Sequence, residues 1–162
     1  MTAQVPEKLR FKGEELDMCC EPLASYLRVT RKVFNYTMTR SACWRGYQGT
    51  WEIVNDQLYL VEISAEIQTT VGARPVTLQD YFTRAVGPVF AHWFTGEIRC
   101  TRGAILEYVH GGYGSTYEED LFLEIKAGML IGERLVINGK DDKGLPTGAV
   151  LGGYVRLNNT NT

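Results

Sequence analysis

The feature that most constrains the fold is a β-hairpin in the first half of the chain. Residues 51–54 and 57–63 are strand-like runs rich in aliphatic and aromatic side chains, and Asn55-Asp56 separates them. Two such runs around a two-residue polar turn are typical of a tight antiparallel hairpin. Pairing across this turn fixes the register, and therefore predicts which side chains share a face. The predicted apolar face consists of Trp51, Ile53, Leu58 and Leu60.

The same register places Arg45 on the face that is otherwise core. Counting back by twos from Trp51 passes Gly49 and Tyr47 and then reaches Arg45. An arginine that points inward is costly unless it meets an anion or a carboxylate. Two interpretations stay open, namely an anionic ligand or an Arg–Glu pair within the fold. A bulge at Gly46 or Gly49 would change the count.

The rest of the pattern predicts a mainly β (α+β) fold. Short strands follow one another through short connections, as in an antiparallel meander or a partly closed barrel of about eight strands. One or two short helices are expected, over 22–27 and over 78–82, the second capped by Thr77. A turn is expected at 101–103, and residues 68–88 are interpreted as a connection.

The chain is expected to form one domain with flexible ends. The predicted limits are a flexible N-terminus at 1–7, a β-rich domain at 8–140, and a tail at 141–162 that could add one edge strand. No apolar run approaches the roughly 18 residues needed to span a membrane, and no signal peptide is visible. The cysteines, at 19, 20, 43 and 100, lack the spacing of a zinc site. These features favour a cytoplasmic protein with reduced thiols.

The charge of the chain argues against a general affinity for nucleic acid. The formal net charge is −2, which provides no basic footprint for a polyanion. One basic cluster does occur early in the chain, and it forms either a local patch or simply a solvated face. It consists of Arg28, Arg31, Lys32 and Arg40.

The stretch richest in potentially functional side chains lies between two apolar strands in the second half of the chain. Residues 110–120 read HGGYGSTYEED, and they include one of the two histidines and three consecutive acidic residues. A loop held by a rigid scaffold is a common location of function. We therefore expect the functional site to include this loop.

Three segments share a joint pattern of Trp, Arg, Tyr, His and Gly. They are residues 42–47 (ACWRGY), 89–96 (VFAHWFTG) and 108–120 (YVHGGYGSTYEED). In this pattern the chain resembles a family of small bacterial and phage proteins that is itself uncharacterised. The resemblance covers about residues 40–136. It implies that these segments form one domain and one site, and it implies no particular activity.

The residues of these segments predict a pocket for a nucleotide-like ligand that carries a phosphate. Backbone N–H groups of a glycine-rich turn can approach an anion, Arg45 offers bidentate contact to a phosphate, and aromatic rings can stack on a base. A phage or bacterial anti-defence protein that sequesters a nucleotide signal would use such a pocket without a cofactor or a metal. The predicted ligand-binding residues are Trp44, Arg45, Tyr47, Trp93, His110, Gly111, Gly112, Tyr113, Gly114, Ser115 and Tyr117.

Two other functional classes fit the same loop. In a protein-interaction or immunity module, the acidic run at 118–120 would face a basic partner, and exposed edge strands would also permit a homodimer. In an enzyme, His110 would act as an acid–base in a metal-independent hydrolase or phosphodiesterase. Arg45, Arg99 or Arg102 would then hold the phosphate.

Two further chemistries have weaker support in the sequence. Ser115 with His110 and a nearby acid has the residue types of a hydrolase triad, but the Gly-x-Ser-x-Gly elbow is missing. A cysteine nucleophile, Cys43 or Cys100, has no local activating group. A metal site at His92 and His110 lacks a recognisable ligand spacing.

Overall fold

The computed structural model describes residues 3–37, 42–139 and 149–151. Predictions for Arg40 and for most of the tail after residue 140 lie outside these described residues. Within them the chain forms β1 (Glu7–Phe11), β2 (Glu14–Met18), α1 (Pro22–Thr30), β3 (Gln48–Val54), β4 (Gln57–Ser64), β5 (Glu66–Thr69), β6 (Gly72–Pro75), α2 (Leu78–Tyr81), β7 (Val89–Phe90), β8 (Gly96–Glu107), β9 (Thr116–Lys126), β10 (Met129–Ile137) and β11 (Ala149–Leu151).

The main sheet curls back on itself. Its strands follow the order β11-β10-β9-β8-β2-β1-β3-β4-β7, and β10 also pairs with β4 through Met129 and Gln57. This second pairing partly closes the sheet. Strands make up 53% and helices 10% of the structure, which confirms the predicted mainly β, partly closed fold. The connectivity is not that of a simple meander, because β1 runs parallel to β3 and β2 pairs with β8.

The β3–β4 hairpin has the predicted register. Its strands pair across Asn55 and Asp56, whose φ angles are 50° and 60°. Positive φ angles at both positions define the tight turn that matches the natural twist of a hairpin. Trp51, Leu58 and Leu60 are fully buried, and burying each such side chain stabilises the fold by about 1.5–3 kcal/mol. The hairpin therefore supplies one wall of the core.

The core fills the space inside the curled sheet. Alternate residues of the strands point inward, because side chains along a strand alternate between its two faces. On β1 these are Leu9 and Phe11 together with one charged residue, Glu7. The opposite wall consists of Ile98, Cys100, Leu121, Leu123, Ile125 and Leu130.

The turn predicted at residues 101–103 is wrong. Strand β8 continues through these residues and stays paired with β9. Gly103 has a φ of 78°, and the register with β9 shifts beside it, so this glycine marks a bulge. A Cβ at position 103 would also collide with the side chain of Glu118. The bulge lets the β8–β9 hairpin extend beyond the neighbouring strands.

The connection predicted at 68–88 contains more structure than expected. Strands β5 and β6 form a separate two-stranded sheet. Helix α2 follows where it was predicted, and the carboxylate of Asp80 accepts a hydrogen bond from Thr77 N at 2.8 Å. Asp80 also pairs with Arg74 at 2.8 Å. Neither of the two described helices is long and apolar enough to cross a membrane.

Candidate functional site

The glycine-rich loop and the Trp44–Arg45 segment both contact the N-terminal segment, which lies between them. Ala3 forms a parallel bridge with Gly112, and Gln4 N donates to Gly112 O at 2.9 Å. The side chain of Gln4 accepts a hydrogen bond from Trp44 N at 3.0 Å. Ala3 and Gln4, in the N-terminal segment 1–7, thus contact two other segments of the chain. The flexibility of that segment stays a prediction.

Arg45 points inward and is surrounded by acceptors. Its Nε donates to Glu7 Oε1 at 3.0 Å, and its Nη1 lies 3.3 Å from Glu21 Oε1. Its remaining contacts are Nη2 to Val5 O at 2.9 Å and Nη1 to Tyr113 Oη at 3.4 Å. Only 8% of the side chain is exposed. Of the two interpretations left open by the sequence, the described residues therefore form the internal Arg–Glu pair.

Glu7 is the buried acceptor at the centre of this network. Its side chain has no exposed surface, and it accepts hydrogen bonds from Arg45 Nε, Gly49 N and Trp51 Nε1, the last at 2.6 Å. Burial raises the pKa of Glu7, and the three hydrogen bonds oppose that rise. Since all three partners are donors, the geometry suits the ionised carboxylate. A Cβ at Gly49 would collide with Glu7 Oε2, which explains the glycine at this position.

The charge balance of the network does not favour an added anion. Glu7 and Glu21 each carry a negative charge when ionised, and Arg45 supplies the positive charge between them. Burial lowers the pKa of Arg45, but the nearby carboxylates outweigh it and the net shift is upward. The guanidinium is therefore neutralised from within the protein.

A second arginine anchors the loop from its other side. Arg99 Nε donates to Asp120 Oδ1 at 2.8 Å, and its two other nitrogens donate to Tyr113 O at 2.8 Å and Ser115 O at 3.0 Å. Asn138 Nδ2 completes the contact by donating to Asp120 Oδ2 at 2.7 Å. Tyr113 thus contacts one arginine through its hydroxyl and another through its carbonyl. We call Tyr113 and Ser115 the inner side of the loop.

The groups proposed for a serine hydrolase are occupied by structural contacts. Ser115 is buried, and its Oγ accepts a hydrogen bond from Val109 N at 3.0 Å. Asp120 is bound to Arg99 and Asn138, and Glu118 Oε2 accepts a hydrogen bond from Ala104 N at 2.9 Å. These partners stabilise the loop and its hairpin.

The space behind the loop is small. A cavity of about 30 Å³ lies between the N-terminal segment and Gly112, Tyr113, Ser115 and Tyr117. This volume is of the size that holds a single water, whereas pockets for small-molecule ligands measure about 300–1,000 Å³. The backbone N–H of Gly114 donates to Gly111 O at 3.2 Å, so part of the turn is closed on itself.

The outer side of the loop and its hairpin is exposed. The ring of Tyr108 meets the ring of His110 edge-on, with centroids 4.6 Å apart, and His110 is exposed to solvent. The exposed fractions are 50% for Ile105, 49% for Leu106, 50% for Tyr108 and 38% for Val109. We call these five residues the crest. Ile105 and Leu106 lie near the end of β8, and Tyr108 and Val109 follow it. Because neighbouring side chains on a strand point to opposite faces, both faces of this hairpin end are left exposed by the described residues.

The crest differs from the other exposed apolar residues of the described chain. Apart from Trp44, the others are valines scattered along the chain, and scattered exposed valines are normal at a protein surface. They are Val5, Val29, Val33, Val54, Val71 and Val86. All the larger exposed apolar residues belong to the crest or to Trp44, which is 53% exposed beside the N-terminal segment. The surface near the loop is therefore where uncovered apolar area concentrates.

The remaining predicted site residues fall in two places. Tyr47 is buried, its ring lies 5.6 Å from the Arg45 guanidinium, and its Oη has no hydrogen-bond partner among the described residues. Trp93 packs instead against Tyr26 and Phe82. The structure thus joins Arg45, Tyr47 and the loop, and places Trp93 in a different aromatic cluster.

Sequence reasoning missed the specific partners of the two arginines. Glu7 was assigned to a flexible end, although Glu7, Leu9 and Phe11 alternate and share the inward face of β1. That alternation is the signal that could have identified Glu7 as the partner of an inward arginine. The contacts of Arg99 with the loop carbonyls have no equivalent signal, because they depend on how the loop folds back.

The comparisons with known proteins do not extend this description. Neither a family model, nor a curated protein, nor a solved structure matches the chain. Within the described residues, no three His, Cys, Asp or Glu side chains are placed to hold a metal ion.

Proposed function

We propose that this protein is a protein-interaction module, and that the crest is its docking surface. The observation that carries the proposal is the concentration of exposed large apolar side chains at Ile105, Leu106, Tyr108 and Val109. Exposed apolar patches of this kind on soluble proteins mark interaction sites. Aromatic residues such as Tyr108 are also enriched in protein interfaces.

The rigidity of the loop supports this function. Arg99 holds the carbonyls of Tyr113 and Ser115, and Arg45 contacts the hydroxyl of Tyr113. A surface that is already ordered loses little conformational entropy on binding. The inner side of the loop therefore acts as a scaffold that presents the crest in one conformation.

The charge near the crest indicates the kind of partner. Residues 103–119 contain Glu107, Glu118 and Glu119 but no lysine or arginine. Two copies of this acidic hairpin would repel each other, which disfavours a homodimer through the crest. Complementary charge favours a different protein with an apolar cleft and a basic rim. The acidic run predicted to face a partner contributes Glu118 and Glu119, since Asp120 is buried against Arg99.

A nucleotide-like ligand between Arg45 and the loop, and acid–base catalysis by His110, have less support. The Arg45 network already contains two carboxylates, and the cavity behind the loop is about 30 Å³. His110 contacts the ring of Tyr108 and lies on the exposed surface. A histidine in the crest fits an interface as readily as a catalytic site.

The experiment is affinity capture from a lysate of the source organism with purified tagged protein. Leu106→Glu and Tyr108→Ala change the crest, and Val71→Glu is the matched control because Val71 is exposed and lies on β5–β6. We expect the wild type and Val71→Glu to retain one stoichiometric basic protein, and Leu106→Glu to retain less than about a tenth of it. Raising the salt concentration should weaken retention, because charge attraction is screened.

Three outcomes would contradict the proposal. One is that no stoichiometric protein is retained by the wild type. Another is that the retained protein binds the crest variants and the control equally. The third is that sedimentation shows only self-association of the chain. Two acidic crests should repel each other, so the proposal does not predict that result.

A further inference from the structure

A second feature of the surface lies away from the crest, beside α1 and the segment after α2. A cleft of about 460 Å³ opens there, and Tyr26, Phe82, Arg84 and Val89 are among its lining residues. This volume is within the range of pockets that bind small organic ligands. The cleft is wide and shallow, so a ligand there would keep one side in contact with solvent.

One wall of the cleft belongs to a packed aromatic cluster. The ring centroids of Tyr26 and Phe82 are 4.5 Å apart, and those of Phe82 and Trp93 are 5.4 Å apart with an interplanar angle of 22°. Trp93 Nε1 donates to Pro22 O at 2.9 Å, and Tyr26 Oη donates to Tyr81 O at 3.3 Å. These contacts hold the rings together, and Tyr26 and Phe82, which are only partly buried, form the aromatic side of the cleft.

Among the described residues, Arg84 in this cleft and Lys32 beside Tyr26 have no acidic partner, whereas most of the described lysines and arginines do. Eight of the thirteen lysines and arginines in the described ranges pair with a carboxylate. Four of the other five cations lie near the end of α1, just after it, or in the lining of the cleft. These four are Arg28, Arg31, Lys32 and Arg84, and the fifth is Lys126.

The local sequence explains why these charges stay unpaired. Residues 22–34 and 81–91 contain four cations and no aspartate or glutamate. Asp80, which precedes the second segment, is paired with Arg74. Cations at the end of α1 also complement the helix dipole, but Arg84 belongs to no helix, so the dipole does not account for its position in the cleft.

Two cations, Arg84 and Lys32, lie close to the ring of Tyr26 or share the cleft with it. Arg84 lines the cleft together with Tyr26. The ammonium of Lys32 lies 5.9 Å from the centroid of the Tyr26 ring and donates to Tyr81 O. A ligand stacked on the aromatic wall would therefore have positive charge within reach of an attached anionic group.

We infer that this cleft binds a nucleotide, with its base against the wall formed by Tyr26 and Phe82 and its phosphate beside Arg84. Aromatic faces and a guanidinium are the groups that recognise a base and a phosphate. The sequence predicted a nucleotide-like ligand at the glycine-rich loop, whereas in the described structure Arg84 lines this cleft and Lys32 lies beside Tyr26 without an acidic partner. The inference is independent of the crest, since the two surfaces share no residue.

The test is isothermal titration calorimetry with AMP, ADP, adenosine and inorganic phosphate as separate probes. The variant is Arg84→Gln. The matched control is Lys126→Gln, because Lys126 lies on β9 and also has no carboxylate partner within the described part of the chain. We expect AMP or ADP to bind the wild type and the control, and Arg84→Gln to weaken binding about tenfold. Adenosine and phosphate alone should bind at least about tenfold more weakly than the nucleotide.

Several results would overturn the inference. They are the absence of binding by either nucleotide at millimolar concentration, equal affinities of Arg84→Gln and the wild type, and equal binding of phosphate and nucleotide. The crest variant Leu106→Glu should bind nucleotide as the wild type does. A loss of nucleotide binding in that variant would also overturn the inference, because it would place the ligand at the crest.

Discussion

The two sides of the glycine-rich loop differ in how their chemistry is used. On the inner side, Tyr113 and Ser115 are held by Arg99, and Tyr113 also contacts the Arg45 network. On the outer side, the crest exposes apolar and aromatic side chains without such contacts. The comparison teaches that the polar residues which make this loop prominent in the sequence mainly fix its conformation. The less prominent apolar residues beside it stay exposed, and we propose that they form the docking surface.

The largest expected effect comes from Glu7, which holds Arg45, the arginine that contacts Tyr113 on the inner side of the loop. Glu7→Gln removes the charge that Arg45 meets and places an amide among donor groups. Removing one partner of a buried ion pair destabilises a protein by about 3–5 kcal/mol. We therefore expect a loss of that size in the free energy of unfolding, measured by urea denaturation.

The control for this measurement is Glu62→Gln. Glu62 is exposed on β4, and substitutions at such surface positions change stability by about 0.5 kcal/mol or less. A loss below about 1 kcal/mol for Glu7→Gln would mean that Arg45 does not depend on Glu7, and the inner side would then not be the scaffold described here.

A smaller loss in the free energy of unfolding is expected at Asp80, which forms a more exposed ion pair with Arg74. Asp80 accepts hydrogen bonds from Arg74 and from Thr77 N, and chiefly the Arg74 bond lowers the pKa of Asp80 to about 2. A lowered carboxyl pKa stabilises the folded state above the ordinary pKa, and this stabilisation is lost as the pH falls towards the folded value. Asp80→Asn should cost about 1 kcal/mol at pH 7, since Arg74 is largely solvent-exposed and only the cap is firmly bound.

The measurement for Asp80 is thermal unfolding of both proteins between pH 7 and pH 2. The difference in stability between wild type and Asp80→Asn should shrink as the pH falls below about 4. A difference that stays constant down to pH 2 would show that the ionised carboxylate does not stabilise α2. Comparing this result with Glu7→Gln separates an exposed pair from a buried one.

The sequence predicted the parts of the fold that depend on local periodicity. The β3–β4 register followed from a two-residue turn, because the turn leaves only one pairing that buries Trp51 with Leu60. Arg45 does point inward, but the alternation along β3 does not account for it, because Arg45 lies in a turn before β3 and the register shifts between Thr50 and Trp51. The turn predicted at 101–103 failed because Gly103 has the φ angle of a turn residue but sits in a bulge that keeps β8 paired.

The candidate site was less predictable, because its contacts join distant parts of the chain. The Tyr113 hydroxyl donates to Glu21 at 2.8 Å, and Gln4 connects Gly112 with Trp44. No periodicity in the sequence encodes these contacts, since each depends on the loop folding back against the N-terminal segment. Exposure of the crest is likewise a property of the assembled sheet, because β8 continues to Glu107 whereas β2 pairs with it only at Cys100 and Thr101.

The most direct test of the central claim is site-specific photo-crosslinking in a lysate of the source organism. A photoreactive phenylalanine analogue replaces Tyr108 in the crest in one protein and Val71, which is 95% exposed, in the other. We predict one adduct of defined mass from position 108 and none from position 71. An adduct of similar yield from position 71, or no adduct from position 108, would contradict the assignment of the crest as the docking surface.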